Sequence, residues 1–142
     1  LDLYRDIDHF GFRKGNDSVL SNNLTVLRLY FHSSAKVHTQ SWWSRTFGTP
    51  LGHHLLSNAK EAGIGQAVLH RVHGGFLQGD WLTLDMSEVP PPKLPQCLEL
   101  IADEELLSAF LEMNSVHLTD VRVVALRGEQ LEFGSQAAAV SA

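Results

Sequence analysis

Arg71, His73, Gly74, Gly75 and Phe76 form the densest run of side chains and bare backbone able to hold a ligand. Adjacent glycines let backbone amides come close to a phosphate, Phe76 offers a ring for stacking, and Arg71 supplies a fixed cation. A glycine pair at a strand end is equally a turn device, so the run has a plain structural reading beside the functional one. The glycine patterns of phosphate loops and dinucleotide folds are absent, which disfavours a nucleoside triphosphatase or a dehydrogenase. No nucleophile motif surrounds the single cysteine, Cys97, and most acids read as caps or solvated faces. No catalytic residue is expected, and the chain reads as a binding protein rather than an enzyme.

The eight histidines raise the question of a metal. His53 and His54 are adjacent on a helical segment and point about 100° apart, without the i,i+4 spacing that chelates from one helix face. His70 and His73 have opposite parity on a strand and face opposite sides. A shared site would need His32 or His38 to converge from a loop, so surface or hydrogen-bonded histidines are the simpler expectation, and no metal ligand and no cofactor are assigned. Trp42 and Trp43 sit side by side in a polar loop. Two exposed indoles cost solubility, so they are expected to cover a domain edge, pack against another subunit or anchor a partner protein.

These groups need a scaffold, and the hydrophobic pattern supplies one. LTVLRLYF, from Leu24 to Phe31, reads as a strand with Leu27, Leu29 and Phe31 on one face and Val26, Arg28 and Tyr30 on the other. Thr49 as N-cap with Pro50 at the first helical position opens a helix that carries Leu51, Leu55, Ala59 and Ala62 and stops at Gly63. A second strand is expected from Gln66 to His73, ending at Gly74-Gly75. A long connection follows, with a short strand near Trp81 to Leu84 and a stiff Pro90-Pro91-Pro92 segment. Gln96 to Ile101 reads as a third strand, Asp103 as the N-cap of a second helix with Leu106, Leu107, Phe110 and Leu111, and His117 to Leu126 as the last strand. The order β-α-β-β-α-β predicts an α+β, ferredoxin-like fold: a four-stranded antiparallel sheet with two helices on one face. The domain is expected to span residues 24–127, after a weakly structured arm at 1–23 and before a flexible tail at 128–142.

Two helices cover one sheet face only. The other face is expected to carry Val26 and Tyr30 with either Val121 and Val123 or Leu118, Val124 and Leu126, too apolar for a solvated surface and suited to another copy of the chain. Arg28, Arg71, Glu99 and Arg122 fall mid-strand, and Glu99 is expected to pair with at least one arginine. Such charges serve either an ion-pair network at an interface or contacts to a ligand.

Bulk properties narrow the classes. The 142 residues suit one domain, and 11 Lys and Arg against 16 Asp and Glu give a net charge of −5 with no basic run, so nucleic acid is not expected as the main partner. No apolar stretch approaches the roughly 20 residues of a membrane span, the first ten residues carry acids rather than a basic leader, and a lone cysteine suits a reducing compartment. A cytoplasmic location is expected.

With the elements placed, the chain resembles the bacterial and archaeal PII-like proteins of the family described as domain of unknown function one hundred and ninety. The resemblance runs from Leu24 to Leu126 and rests on LRLYF, Gly48-Thr49-Pro50-Leu51, AKEAGIGQAVLHRVHGGF, Leu94-Pro95 entering LELIADEE, and Phe110-Leu111. The chain has Val72 where the family has a glycine after the strand arginine, and Thr39 to Phe47 reads as an insertion. The resemblance implies a homotrimer with its sheets turned inward and ligand clefts between subunits, where the wider superfamily takes adenine nucleotides. On that basis the expected ligand contacts are Arg71, His73, Gly74, Gly75, Phe76 and Arg122, with Trp42 and Trp43 for interaction. The expected function is small-ligand binding in signalling or regulation. The alternatives are a divalent-metal-binding trimer like the cation-tolerance proteins, and a ligand-free protein-interaction scaffold.

Overall fold

The structure is a computed structural model and describes residues 23–37 and 48–130. Its elements are β1 (Asn23–His32), α1 (Leu51–Glu61), β2 (Gln66–Arg71), β3 (Gly74–Gly75), β4 (Thr83–Leu84), β5 (Pro95–Asp103), α2 (Glu104–Met113), a 3-10 turn (Ser115–His117) and β6 (Arg122–Glu129). The main sheet runs β2-β5-β1-β6, and every neighbouring pair is antiparallel. β3 and β4 form a separate two-stranded ribbon. Each β-α-β unit is split by a strand of the other, so the expected ferredoxin-like topology is the observed one.

Period-two alternation sets the core. In β1, Thr25, Leu27, Leu29 and Phe31 are buried while the residues between them are half-buried. They join Leu98, Leu100 and Ala102 of β5 under Leu51, Leu55 and Ala59 of α1 and Leu107 and Phe110 of α2. The sheet thus offers one apolar face to two amphipathic helices.

The helix ends follow from local chemistry, with one correction. Pro50, not Thr49, is the N-cap of α1, with φ −55° and ψ 135°, and no side chain caps the helix. The cause lies upstream: Lys36 bridges Pro50, and the Leu51 amide donates to the Ala35 carbonyl at 2.8 Å, so an extended segment holds Pro50 out of the helix. At the other end the chain turns at Gly63, φ +78°, while the Gly63 and Ile64 amides donate to the Lys60 and Ala59 carbonyls. Buried Ile64 seals this Schellman-type ending. Asp103 caps α2 as expected, accepting from the Leu106 amide at 2.8 Å, and Glu104 and Glu105 suit the positive end of the helix dipole.

Several strand boundaries differ from expectation. β2 leaves the sheet after Arg71 rather than at His73, because the partner beyond Gln96 is Pro95, which has no N–H to give. Gly74-Gly75, expected as a stop, instead pair with Leu84 and Thr83. β5 runs longer than Gln96 to Ile101, since β1 pairs with it from Asp103 to Pro95. β6 starts at Arg122 instead of His117: residues after Asn114 wind through the 3-10 turn, and Val121 still donates to the Leu118 carbonyl. It then passes through Gly128, which pairs with Leu24.

Phe110 is 1% exposed at the centre of this core. Phe110→Ala is expected to cost about 3–5 kcal/mol of unfolding free energy, read from urea denaturation midpoints; a loss under about 1 kcal/mol would mean that α2 does not pack as described.

Candidate ligand site and the open face of the sheet

At the end of the sheet where β2 stops and β5 starts, the segment from His73 to Lys93 is tied down at three places. At its base, the Asp85 amide donates to the His73 carbonyl at 2.8 Å, and Arg71 Nη2 lies 3.5 Å from Asp85 Oδ2. In its middle, Asp80 Oδ2 lies 2.5 Å from His32 Nε2 at the end of β1, with Lys93 Nζ 3.7 Å from Oδ1. At its far reach, Arg122 Nη1 donates to Gln78 Oε1 at 3.3 Å. The hydrogen bond from His32, reinforced by the His32 and Lys93 charges, holds the Asp80 carboxyl below the usual carboxylate range. Behind these ties Ser33 donates its amide to the Leu94 carbonyl and its hydroxyl to the Pro91 carbonyl, fixing the proline segment against the end of β1.

This arrangement gathers five of the expected ligand residues and separates the sixth. Arg71, His73, Gly74, Gly75 and Phe76 lie together beside edge strand β2, with Phe76 65% exposed. Arg122 begins β6, the opposite edge, with β5 and β1 between. Three strand spacings separate the two edges by roughly 14 Å. The loop spans that gap through Gln78, which accepts from Arg122. A Cβ at Gly74 would stand 2.7 Å from Cδ2 of the exposed Leu84 side chain and 3.2 Å from the Thr83 carbonyl oxygen, so a larger residue there would push Leu84 aside. Trp42, Trp43 and His38 lie outside the described residues.

Asp80, Asp85 and Gln78 were not singled out from the sequence, because a segment without periodicity gives no sign of which polar side chains turn inward. The available hint was the pair of acids five residues apart in a loop flanked by Arg71 and Lys93.

The face of the sheet away from the helices carries three cross-strand rows. Gln66, Ile101, Val26 and Leu126 form one; Val68, Glu99, Arg28 and Val124 the next; His70, Cys97, Tyr30 and Arg122 the last. Of the two registers open from sequence, Val124 and Leu126 face outward, whereas Leu118 and Val121 precede the strand and pack against the core. The expected pairing of Glu99 is with Arg28, Nε to Oε2 at 2.8 Å, and this hydrogen bond raises the pKa of an already permanent cation. His70 Nε2 stands 4.0 Å from the same oxygen. Burial pushes the Cys97 thiol up, away from a reactive thiolate.

The other histidines are spoken for in part. His54 Nε2 meets Asn58 Nδ2 at 3.1 Å and its ring stands edge-on to His117 at 4.9 Å, while Asn58 donates to Asn114 Oδ1 at 2.7 Å and so links α1 to the end of α2. Among the described residues no three His, Cys, Asp or Glu side chains converge to hold a metal, and no helix is long and apolar enough to cross a membrane. No family model matches the chain and no curated protein matches it; of the expected resemblance, the structure bears out the ferredoxin-like topology.

The Asp80 tie has a defined pH dependence. Its folded pKa is depressed, so its contribution is complete above the ordinary aspartate value of about 4 and disappears as pH falls through the lower folded value. Asp80→Asn should therefore melt below wild type at neutral pH, and the difference should close on acidification; equal melting temperatures at neutral pH would contradict the tie.

Proposed function

We propose that the chain is a subunit of a PII-like homotrimer that binds a small anionic ligand, with adenine nucleotides the first candidates, and regulates a partner without covalent chemistry. The observation that carries this reading is the open sheet face. Val26, Val68, Ile101, Val124 and Leu126 surround a single Arg28–Glu99 pair there, and no element of the chain's described residues covers them. A face of this composition is stabilised by another copy. The positions of the basic groups support the same reading: Arg71 and Arg122 sit on opposite edges, so a ligand touching both is held by two subunits. Cys97, buried and without a disulfide partner, suits the cytoplasm.

A second reading is favoured by the loop. Trp81 is 89% exposed, and Leu82, Leu84, Met86 and Val89 are exposed beside it. A protein partner docking on this apolar arm would bury them, whether or not a small ligand is bound.

Light scattering should report a particle of three chains, and calorimetry should detect ATP, ADP, AMP or a cyclic nucleotide. Arg71→Ala and Arg122→Ala should each weaken binding about tenfold or more, as expected for a charge-assisted hydrogen bond. Mixed subunits of the two variants should regain wild-type sites. A lone 15.8 kDa particle at all concentrations, or no heat from any nucleotide, removes the nucleotide-binding trimer. Trp81→Ala, with unchanged nucleotide binding but lost partner recovery, would establish the second reading.

A further inference from the structure

Asp85 is the one described side chain with a buried polar atom that has no hydrogen-bond partner: Oδ1. The side chain is only 7% exposed, and its one ion-pair partner among the described residues, Arg71, is 72% exposed and reaches Oδ2 across 3.5 Å. A buried carboxylate is tolerated when a cation and hydrogen bonds compensate its lost hydration. Here the compensation is a single long contact to a guanidinium that faces solvent.

The element resting on this contact is short. The β3–β4 ribbon has two residue pairs, Gly74 with Leu84 and Gly75 with Thr83, closed at its base by the Asp85 amide and the His73 carbonyl. Asp85 supplies both the buried carboxylate and the backbone amide of that closing hydrogen bond. An oxyanion arriving at Arg71 disturbs the carboxylate in two ways. It competes for the N–H groups of the guanidinium, and it places like charge beside a carboxylate already short of partners.

We infer that Arg71 and Asp85 form a latch at the base of the β3–β4 ribbon, and that an oxyanion recruiting Arg71 opens it. Ligand binding and the shape of the 76–85 loop are then one event, because the same guanidinium serves both. The trigger rests on the ligand reading above; the latch does not. Asp80 and Gln78 keep their own ties to His32 and Arg122, so opening is confined to the ribbon's base while the loop's middle stays fixed to the sheet.

Amide hydrogen exchange at Asp85, with Leu29 and Leu100 of the central strands as internal reference, separates the two parts. Arg71→Gln should speed exchange at Asp85 roughly tenfold or more while the reference amides stay protected. Arg71→Gln combined with Asp85→Asn should return it to the wild-type rate, because the buried charge is gone. Wild-type exchange in Arg71→Gln, or no rescue in the double variant, overturns the latch. Should Arg71→Gln fail to fold, Asp85→Asn alone decides: it must protect the ribbon at least as well as wild type. For the trigger, saturating ATP or orthophosphate should speed Asp85 exchange in wild type and leave Asp85→Asn unchanged. Heat of binding without that change overturns the trigger, whereas no heat from either probe removes the ligand reading and leaves the latch to be judged by the variants.

Discussion

The register of β1 against β5 is the constraint on which the rest depends. These are the two central strands, and the alternation of side chains means that a slip of one residue would exchange their faces. In the observed register Leu29 opposes Leu98 and Leu27 opposes Leu100 beneath the helices, while Arg28 opposes Glu99 on the other side. The ion pair cannot form in the slipped register, and the leucines would then lie on the uncovered face. Burial and charge therefore select the same alignment. The ion pair itself is half exposed and adds modestly to stability; its larger effect is to penalise the wrong pairing.

Much of this was legible in the sequence because it is periodic. Leu27, Leu29 and Phe31 against Val26, Arg28 and Tyr30 gave the two faces of β1, and Asp103 before Leu106, Leu107 and Phe110 gave the start and buried side of α2. β6 is delayed by the local turn after Asn114, but the start of α1 and the end of β2 shifted through partners distant in sequence. Pro50 is kept extended by Lys36 and Ala35, and β2 is cut short by Pro95. Neither of these two effects is visible in a local window. The same reason limited the reading of the site. Arg71 and Gly74-Gly75-Phe76 are neighbours in the chain and stand together in space, but the inward turn of Asp80 and Asp85 is decided by His32 and Arg71, fixed in other elements. The wide separation of Arg122 follows from strand order, which pattern alone suggests but does not measure.

The connection after β2 differs in kind from the sheet it crosses. The sheet is held by buried leucines and phenylalanines; the connection is held by a few polar ties from three different strands, with its large apolar side chains turned outward. Few buried contacts and exposed hydrogen bonds place it at the low end of local stability. Polar ties of this kind respond to charge, and hydrophobic layers do not. A chain that keeps a rigid sheet while altering this connection can do so without disturbing its core.

The interleaving of the two β-α-β units has a consequence for how the chain acquires its structure. β1 and β2 are not neighbours, since β5 lies between them, and β1 in turn fills the gap between β5 and β6. A chain ending after β2 has two strands and a helix but no ladder to join them. Its LTVLRLYF segment must wait, unpaired and apolar, until residues some seventy positions later become available. Closing loops of that length before any pairing is rewarded makes folding slow relative to a sheet built from hairpins. The ladder of the amino-terminal half is consequently completed only by β5, which pairs with both of its strands.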